Sequence, residues 1–230
     1  MLGSARSAFI KKAAIVPPSF PAPVAAYNFN AGSGATIADN SGNGNTLTIT
    51  GASWEPSGHT GAALTNSTNT VGASTSSFSN TNHLTLMAWV KPLDLTAERT
   101  QFVTGFMQSG GGTDAALFTQ RTFNTHNVLQ ADLRISGGVV AITGSALTTG
   151  TWSHIAVTYD GTTIVLYADG TEVANFPITG TVDVNSSPFY VAGTNASAGF
   201  DAPDLTVDDV RAFNVALTQA EVAAAMSTPA

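Results

Sequence analysis

The sequence contains no cysteine. Disulfides, thiolate metal ligands and a cysteine nucleophile are therefore excluded, although the count does not fix the redox compartment. Charge is scarce too. Only 10% of the 230 residues are Asp, Glu, Lys or Arg, and 15 acids against 8 bases give a formal charge of −7 and a pI near 4.7. An acidic body argues against nucleic acid or an anionic membrane surface as a partner. No apolar run approaches the roughly 20 residues that a membrane-spanning helix needs. Helical periodicity is missing until the last dozen residues, and there is no internal repeat.

What is plentiful is Gly, Thr, Ser and Asn, so polarity comes from small neutral groups that suit strands and turns. The length is enough for one large β-domain with its own core. The most legible stretch is Thr151 to Val173, TWSHIAVTYDGTTIVLYADGTEV, in which Asp160-Gly161 and Asp169-Gly170 each sit between β-rich runs. Asp-Gly is a hairpin signal because a two-residue type I′ turn needs positive φ at both central positions. Two such turns would set Tyr159 opposite Thr162, Val157 opposite Ile164, Ile155 opposite Leu166 and Val173 opposite Leu166. Side chains alternate along a strand, so those aliphatics form one wall of a core. The other face gathers His154, Ala156, Val165, Tyr167 and Glu172, and is expected to be partly covered.

Further strands are read at residues 24–29, 47–50, 62–64, 70–74, 84–91, 102–107, 115–120, 128–135, 139–142, 188–192 and 205–213. Many short strands at this spacing predict a two-sheet sandwich or jelly roll. One helix is expected over residues 220–226. Thr218 and Glu221 have capping-box spacing, and Leu217 with Val222 would form the hydrophobic staple.

Residues 1–23 differ from the rest. They carry Arg6, Lys11 and Lys12 but no acid, and the first acid of the chain is Asp39. Lys11 and Lys12 interrupt the only apolar stretch, so no export signal is expected there. Pro17, Pro18, Pro21 and Pro23 make the second half extended. This reads as a basic arm, ordered only by contact with another chain, with Arg6, Phe9, Lys11 and Lys12 as the anchoring residues.

The pattern W-x-H-I-A-V-T-Y-D-G followed by L-Y-A-D-G resembles the laminin G-like, concanavalin A-like jelly-roll domains. AYNFNAGSGATIADNSGNGN, LTLMAWVKP and VDDVRAFNVALTQAEV follow in the order that family requires, across roughly residues 24–228. The resemblance implies an all-β, two-sheet antiparallel jelly-roll sandwich with one short C-terminal helix.

A glycosidase of this kind needs paired carboxylates, usually at alternate positions of one strand. The four Glu are Glu55, Glu98, Glu172 and Glu221, and none has a carboxylate two residues away. The four His, at 59, 83, 126 and 154, lack metal-site spacing, and there is no G-x-S-x-G. His154 is expected to be structural. The chain is therefore expected not to be an enzyme.

Ca²⁺ takes hard oxygens, and the loop DNSGNGN supplies Asp39, Asn43 and Asn45, with Asp208 as a second carboxylate source. In the resembling family such a loop and such an Asp often form the metal cage, so a structural Ca²⁺ is expected. For a sugar, which stacks on an aromatic beside Asn, Asp or Arg, the loop candidates are Trp54, Phe123 with Asn124 and His126, and Phe200 with Asp201. Trp89 and Trp152 lie in strong strands and are expected in the core.

The sequence thus predicts a non-enzymatic attachment domain that binds a glycan or host surface. The expected setting is a phage virion, in the tail or decorating the capsid, in several copies held to other structural proteins by the arm. The alternative is a secreted or cell-surface carbohydrate-binding module, and a glycoside hydrolase is a third.

Overall fold

The computed structural model describes residues 19–67, 73–75, 82–95, 101–108, 112–120, 128–183, 188–194 and 204–230. In chain order the strands are β1 (Ala25–Tyr27), β2 (Thr36–Ile37), β3 (Leu47–Ile49), β4 (Ser53–Glu55), β5 (Ala63–Asn66), β6 (Ala73–Thr75), β7 (Leu84–Pro92) and β8 (Gln101–Met107). They continue as β9 (Thr113–Gln120), β10 (Val128–Ile135), β11 (Gly138–Ala146), β12 (Ser153–Tyr159), β13 (Thr163–Ala168), β14 (Thr171–Pro177), β15 (Phe189–Val191) and β16 (Leu205–Phe213). Two eight-stranded sheets result. The first runs β14-β13-β12-β7-β16-β5-β4, with β1 also paired to β16; the second runs β11-β10-β9-β8-β15-β6-β3-β2. All pairings are antiparallel.

The core lies between the sheets and follows from alternation. Leu86, Ala88 and Val90 of β7, Ile155, Val157 and Tyr159 of β12, and Leu129, Ala131, Leu133 and Ile135 of β10 point inward and are buried. A second apolar cluster lies on the outer side of the first sheet. There Met87, Ala156, Tyr167 and Phe213 meet Leu217, Val222 and Ala225 of the C-terminal segment. The outer face of the hairpin is thus covered, as its mixed composition suggested. The cover is α1 (Gln219–Met226), whose capping box is present: the Thr218 side chain accepts from the Glu221 N–H, and Glu221 accepts from the Thr218 N–H at 2.7 Å. Leu217 and Val222 are buried in the same cluster, which is what a staple does.

The hairpin register differs from the expectation by two residues at the first turn. Tyr159 faces Ile164, Val157 faces Leu166 and Ile155 faces Ala168. The reason is local. Asp160 does not adopt positive φ; instead its Oδ1 accepts from the Thr162 and Thr163 N–H groups at 2.8 and 2.7 Å, making a four-residue loop. A shift of two preserves the faces, so Ile155, Val157, Ile164 and Leu166 still reach the core. The second turn is the expected one, with Asp169 at φ 49 and Gly170 at φ 74. A bulge between Leu166 and Tyr167 then moves Leu166 opposite Ala174 rather than Val173.

Three other differences concern positions read as loop, core or arm. Trp54 lies in β4, paired with Leu64, and its indole N–H donates to the Gly34 carbonyl at 2.8 Å while the ring packs on the core. Trp89 and Trp152 are half-buried on the outer side of the first sheet, not in the core between sheets. Phe20, assigned to the arm, packs edge-on against Phe213 at 6.3 Å and beneath the Arg211 guanidinium at 5.6 Å. The end of the arm therefore contacts its own domain. Arg6, Phe9, Lys11 and Lys12 lie outside the described residues.

Candidate functional site

The cross-strand register of the first sheet aligns three outward positions on neighbouring strands. His154 of β12 faces Trp89 of β7, and Trp89 faces Asp208 of β16. Beyond Asp208 the strand departs from alternation. Val207, Val210 and Ala212 point into the core, yet Asp208, Asp209 and Arg211 share the outer side. A bulge between Asp208 and Arg211 accommodates the extra residue, and Asp209 takes φ 48, in the left-handed region. Bulges re-aim side chains in this way, at a cost of about 1 kcal/mol or more for a non-glycine residue there.

The turn Gly58–Gly61 closes over this row. Asp208 Oδ2 accepts the Thr60 N–H at 2.9 Å and its Oδ1 accepts the Asp209 N–H at 2.8 Å. Gly58 comes so close that an added Cβ would stand 2.7 Å from the Ala62 backbone and 2.8 Å from Asp208 Oδ2, which excludes any side chain. Held there, His59 lies flat on Trp89, with ring centroids 3.6 Å apart and planes 13° from parallel. His154 meets Trp89 edge-on at 5.5 Å, and Lys91 Nζ stands 5.1 Å above Trp152.

Beside the stack opens a cavity of about 210 Å³. Its walls are His59, Thr60, Trp89 and Asp209 on one side, and Met226, Ser227 and Pro229 from the end of the chain on the other. Among the described residues four buried side-chain atoms have no hydrogen-bond partner; Trp89 Nε1 and Asp209 Oδ1 belong to residues of this wall, and His154 Nδ1 lies on the strand beside Trp89. Asp209 Oδ1 lies 2.8 Å from Arg211 Nη2 as an ion pair without hydrogen-bond alignment. Burial governs the protonation states. It pushes Asp208 and Asp209 each up to about 6 despite amide and guanidinium partners. It lowers His154 to about 3, helped by the Arg211 and His59 charges, so His154 is neutral. His59 is lowered for the same reason.

The sequence matches the family profile of the concanavalin A-like lectin/glucanases superfamily over residues 58–223. The chain belongs to that superfamily. Among solved structures of concanavalin A-like shape, the binding domain of Paraclostridial Mosquitocidal Protein 1 is 17% identical with a TM-score of 0.66, over 87% of this chain and 51% of that one. Domain 4 of the arabinanase AbnA from Geobacillus stearothermophilus, solved with arabinotriose, is 21% identical with a TM-score of 0.65, over 88% of this chain and 97% of that one. A Trypanosoma rangeli sialidase is 18% identical with a TM-score of 0.64, over 88% of this chain and 32% of that one. The chain thus spans about half of the mosquitocidal binding domain and a third of the sialidase. No curated protein matches it.

Within this concanavalin A-like frame the residues expected to bind a cation do not form one cage. Asp39 is enclosed by amides: Oδ1 accepts from Ala26 and Ser41 at 3.0 and 2.9 Å, and Oδ2 from Asn45 at 2.9 Å. Asn43 and Asn45 turn their Nδ2 groups to the Val24 carbonyl, at 3.1 and 2.9 Å. Asp208 is tied to a different turn. N–H groups aimed at a carboxylate occupy the directions a cation would use, so the set does not fit Ca²⁺. Among the described residues no group of three or more His, Asp or Glu gathers as metal ligands. The loop is a self-bonded staple. Burial raises the Asp39 pKa, but the hydrogen bonds from Ser41, Asn45 and Ala26 outweigh it and hold it below the usual value. Asp39→Ala is expected to cost about 1–2 kcal/mol in urea unfolding, and EDTA is expected to leave the melting temperature of both proteins unchanged. A chelator-dependent shift in the wild type alone would restore the cage.

Of the expected sugar contacts, Trp54 is committed to Gly34 and the core, and Phe123, Asn124, His126, Phe200 and Asp201 lie outside the described residues. Trp89, His59 and Asp209 were not anticipated as a site. One signal for it was present: two consecutive Asp in the otherwise alternating VDDVRAF announce a bulge.

Proposed function

We propose that the chain is a non-catalytic attachment domain that holds a glycan in the Trp89 cleft. The observation that carries this reading is the indole N–H of Trp89, buried without a hydrogen-bond partner in the wall of the cavity, with the unpartnered His154 Nδ1 on the neighbouring strand. Buried polar groups are normally satisfied, and a sugar hydroxyl both donates and accepts. The aromatic His59–Trp89 stack and the cavity volume suit one pyranose ring. Binding is favoured over hydrolysis because Asp208 is engaged by two backbone amides and Asp209 by Arg211, so neither is offered to a glycosidic oxygen. The arabinanase domain solved with arabinotriose and the toxin binding domain support the same choice. Display on a virion rests on the basic arm of residues 1–23 alone.

Trp89→Phe tests the reading. It removes an unpartnered buried N–H, so stability should be unchanged or higher. Affinity for the ligand found on a glycan array should fall about tenfold, the loss of one hydrogen bond of about 1.4 kcal/mol. Equal affinity in the two proteins would move the ligand away from this cleft.

A further inference from the structure

The two strand orders end in β14, β4, β11 and β2, and three of these edges are blunted. β2 has two residues and β4 three, the latter ending at Glu55 before Pro56. β14 carries Glu172 and Pro177, and its pairing is bulged beside Leu166 and Tyr167. Short strands, charge, proline and bulges are what keep an open edge from pairing with another chain. β11 is different. Among the described residues it stands at the end of the second sheet, runs for nine residues, and contains neither a charged residue nor a proline. Its pairing with β10 is regular from Gly138 to Thr143, and the register shifts only beyond that point. Two of the three exposed large apolar side chains among the described residues lie on this flank, Val139 at 48% and Phe176 of β14 at 45%. β14 runs behind β11, where a Cβ added to Gly144 would stand 2.6 Å from Val173.

The turn into β11 fixes which backbone groups are open. Ser136 and Gly137 take φ 48 and 87 between Ile135 and Gly138, which face each other, so this is a type I′ hairpin whose flanking pair is closed by hydrogen bonds. Counting from that pair, Val140 and Ile142 turn their N–H and C=O toward β10, and Val139, Ala141 and Thr143 turn theirs away. The side chains of the latter three are exposed, while Val140 and Ile142 pack on the core. About Ala141 the run matches itself in shape: Val139 answers Thr143, and Val140 answers Ile142. We infer that β11 is a dimerisation strand, pairing antiparallel with β11 of a second copy of this chain across a twofold axis at Ala141. Each Val139 then lies opposite Thr143 of the second copy, and each Val140 opposite its Ile142. These are β-branched cross-strand pairs, no charge meets its like, and the three outward residues exchange about six main-chain hydrogen bonds. Self-complementarity of this kind is what an isologous interface needs, and a strand of another protein would not require it. The axis of such a pair stands perpendicular to the sheet, so both Trp89 clefts, on the outer sides of the first sheets, face the same way. Resting on the glycan reading above, the dimer is a bivalent attachment unit; the interface itself does not depend on that reading.

Sedimentation equilibrium of the full chain tests this without any ligand. An interface of one strand edge is at the small end of the known range, so half-dimerisation is expected at roughly 10 µM. Ala141→Lys puts two ammonium groups opposite each other on the axis and should weaken the dimer at least about tenfold. Thr143→Lys, also at an exposed position, should act in the same direction, and a far-UV circular dichroism spectrum equal to wild type shows that each variant folds. The chain has no cysteine, so Ala141→Cys reports the register. Residues facing each other at a hydrogen-bonded position are within disulfide reach, and mild oxidation should join two copies through position 141. Ser33→Cys, in an exposed loop, should stay single under the same conditions. Wild type that remains monomeric up to roughly 500 µM would overturn the inference and leave the edge to a strand of another protein. A dimer that both lysine variants leave intact, or that Ala141→Cys does not cross-link, would place the interface elsewhere and overturn it equally. A cross-linked dimer that binds no glycan removes the glycan reading and leaves this one standing.

Discussion

Replacing Arg211 with alanine should lower the unfolding free energy by about 3–5 kcal/mol, the cost of breaking a buried pair from one side. The guanidinium is 2% exposed and donates through Nη1 to the Ala225 carbonyl at 2.8 Å, at the end of α1, and through Nη2 to Thr228 and Asp209. It also caps the Phe20 ring. Its removal strands the Asp209 carboxylate, which burial already pushes up to about 6, and unties the helix end. Removing both partners with Arg211→Met and Asp209→Ala should recover more than half of the loss, because no buried charge remains. Urea unfolding of the single and double variants checks both statements. A single variant within 1 kcal/mol of wild type would show that the pair is an exposed one in solution.

The second large effect is a pH dependence that the wild type shows only in part. His154 is neutral in the folded domain down to about 3, whereas a free imidazole titrates near 6.5. Between these values the unfolded chain binds a proton that the folded one refuses, so stability falls as pH falls. At full extent this is on the order of 5 kcal/mol. Asp208 and Asp209 act in the opposite sense. Their folded values of about 6 lie above the ordinary carboxylate range, so the folded domain keeps protons that the unfolded chain releases. Their contribution is complete below the unfolded value and is lost as pH rises through 6. From pH 4 to 6 the imidazole cancels one of the two carboxylates, so wild-type stability should still rise as pH falls, with about half the slope that the two carboxylates would give alone. His154→Gln should therefore become more stable as pH drops from 6.5 to 4. The double variant Asp208→Asn, Asp209→Asn should lose stability steeply over the same range. Parallel profiles for all three proteins would contradict the buried neutral imidazole.

Local chemistry was the readable part of this chain. Strand alternation placed Ile155, Val157, Ile164 and Leu166 in the core even though the turn at Asp160 was misjudged, because an Asx loop and a type I′ turn differ here by an even number of residues. Thr218 and Glu221 announced the helix start correctly, and VDDVRAF was bounded correctly as a strand. The cleft was not readable. Its floor is the row His154, Trp89, Asp208, which exists only because β12, β7 and β16 are neighbours, and neither that order nor the tail's return beside Trp89 leaves a trace in any single segment. Asp39, Asn43 and Asn45 carried the right oxygens for a cation, but the same groups satisfy the backbone of a tight loop, and composition alone does not distinguish the two uses.

The position of β16 has a consequence for how the domain forms. This strand, Leu205–Phe213, lies between β7 and β5 and also pairs with β1, near the other end of the sequence. Until it arrives, the first sheet is three separate pieces, β14-β13-β12-β7, β5-β4 and the lone strand β1, each with open edges. A nascent chain must therefore wait for residues 205–213 before the sheet can close, and loop-closure entropy makes such closure slow. During synthesis the unpaired edges of β7 and β5 are the surfaces most exposed to the wrong partner, and chains stopped before residue 205 should be caught by chaperones or aggregate rather than fold in part.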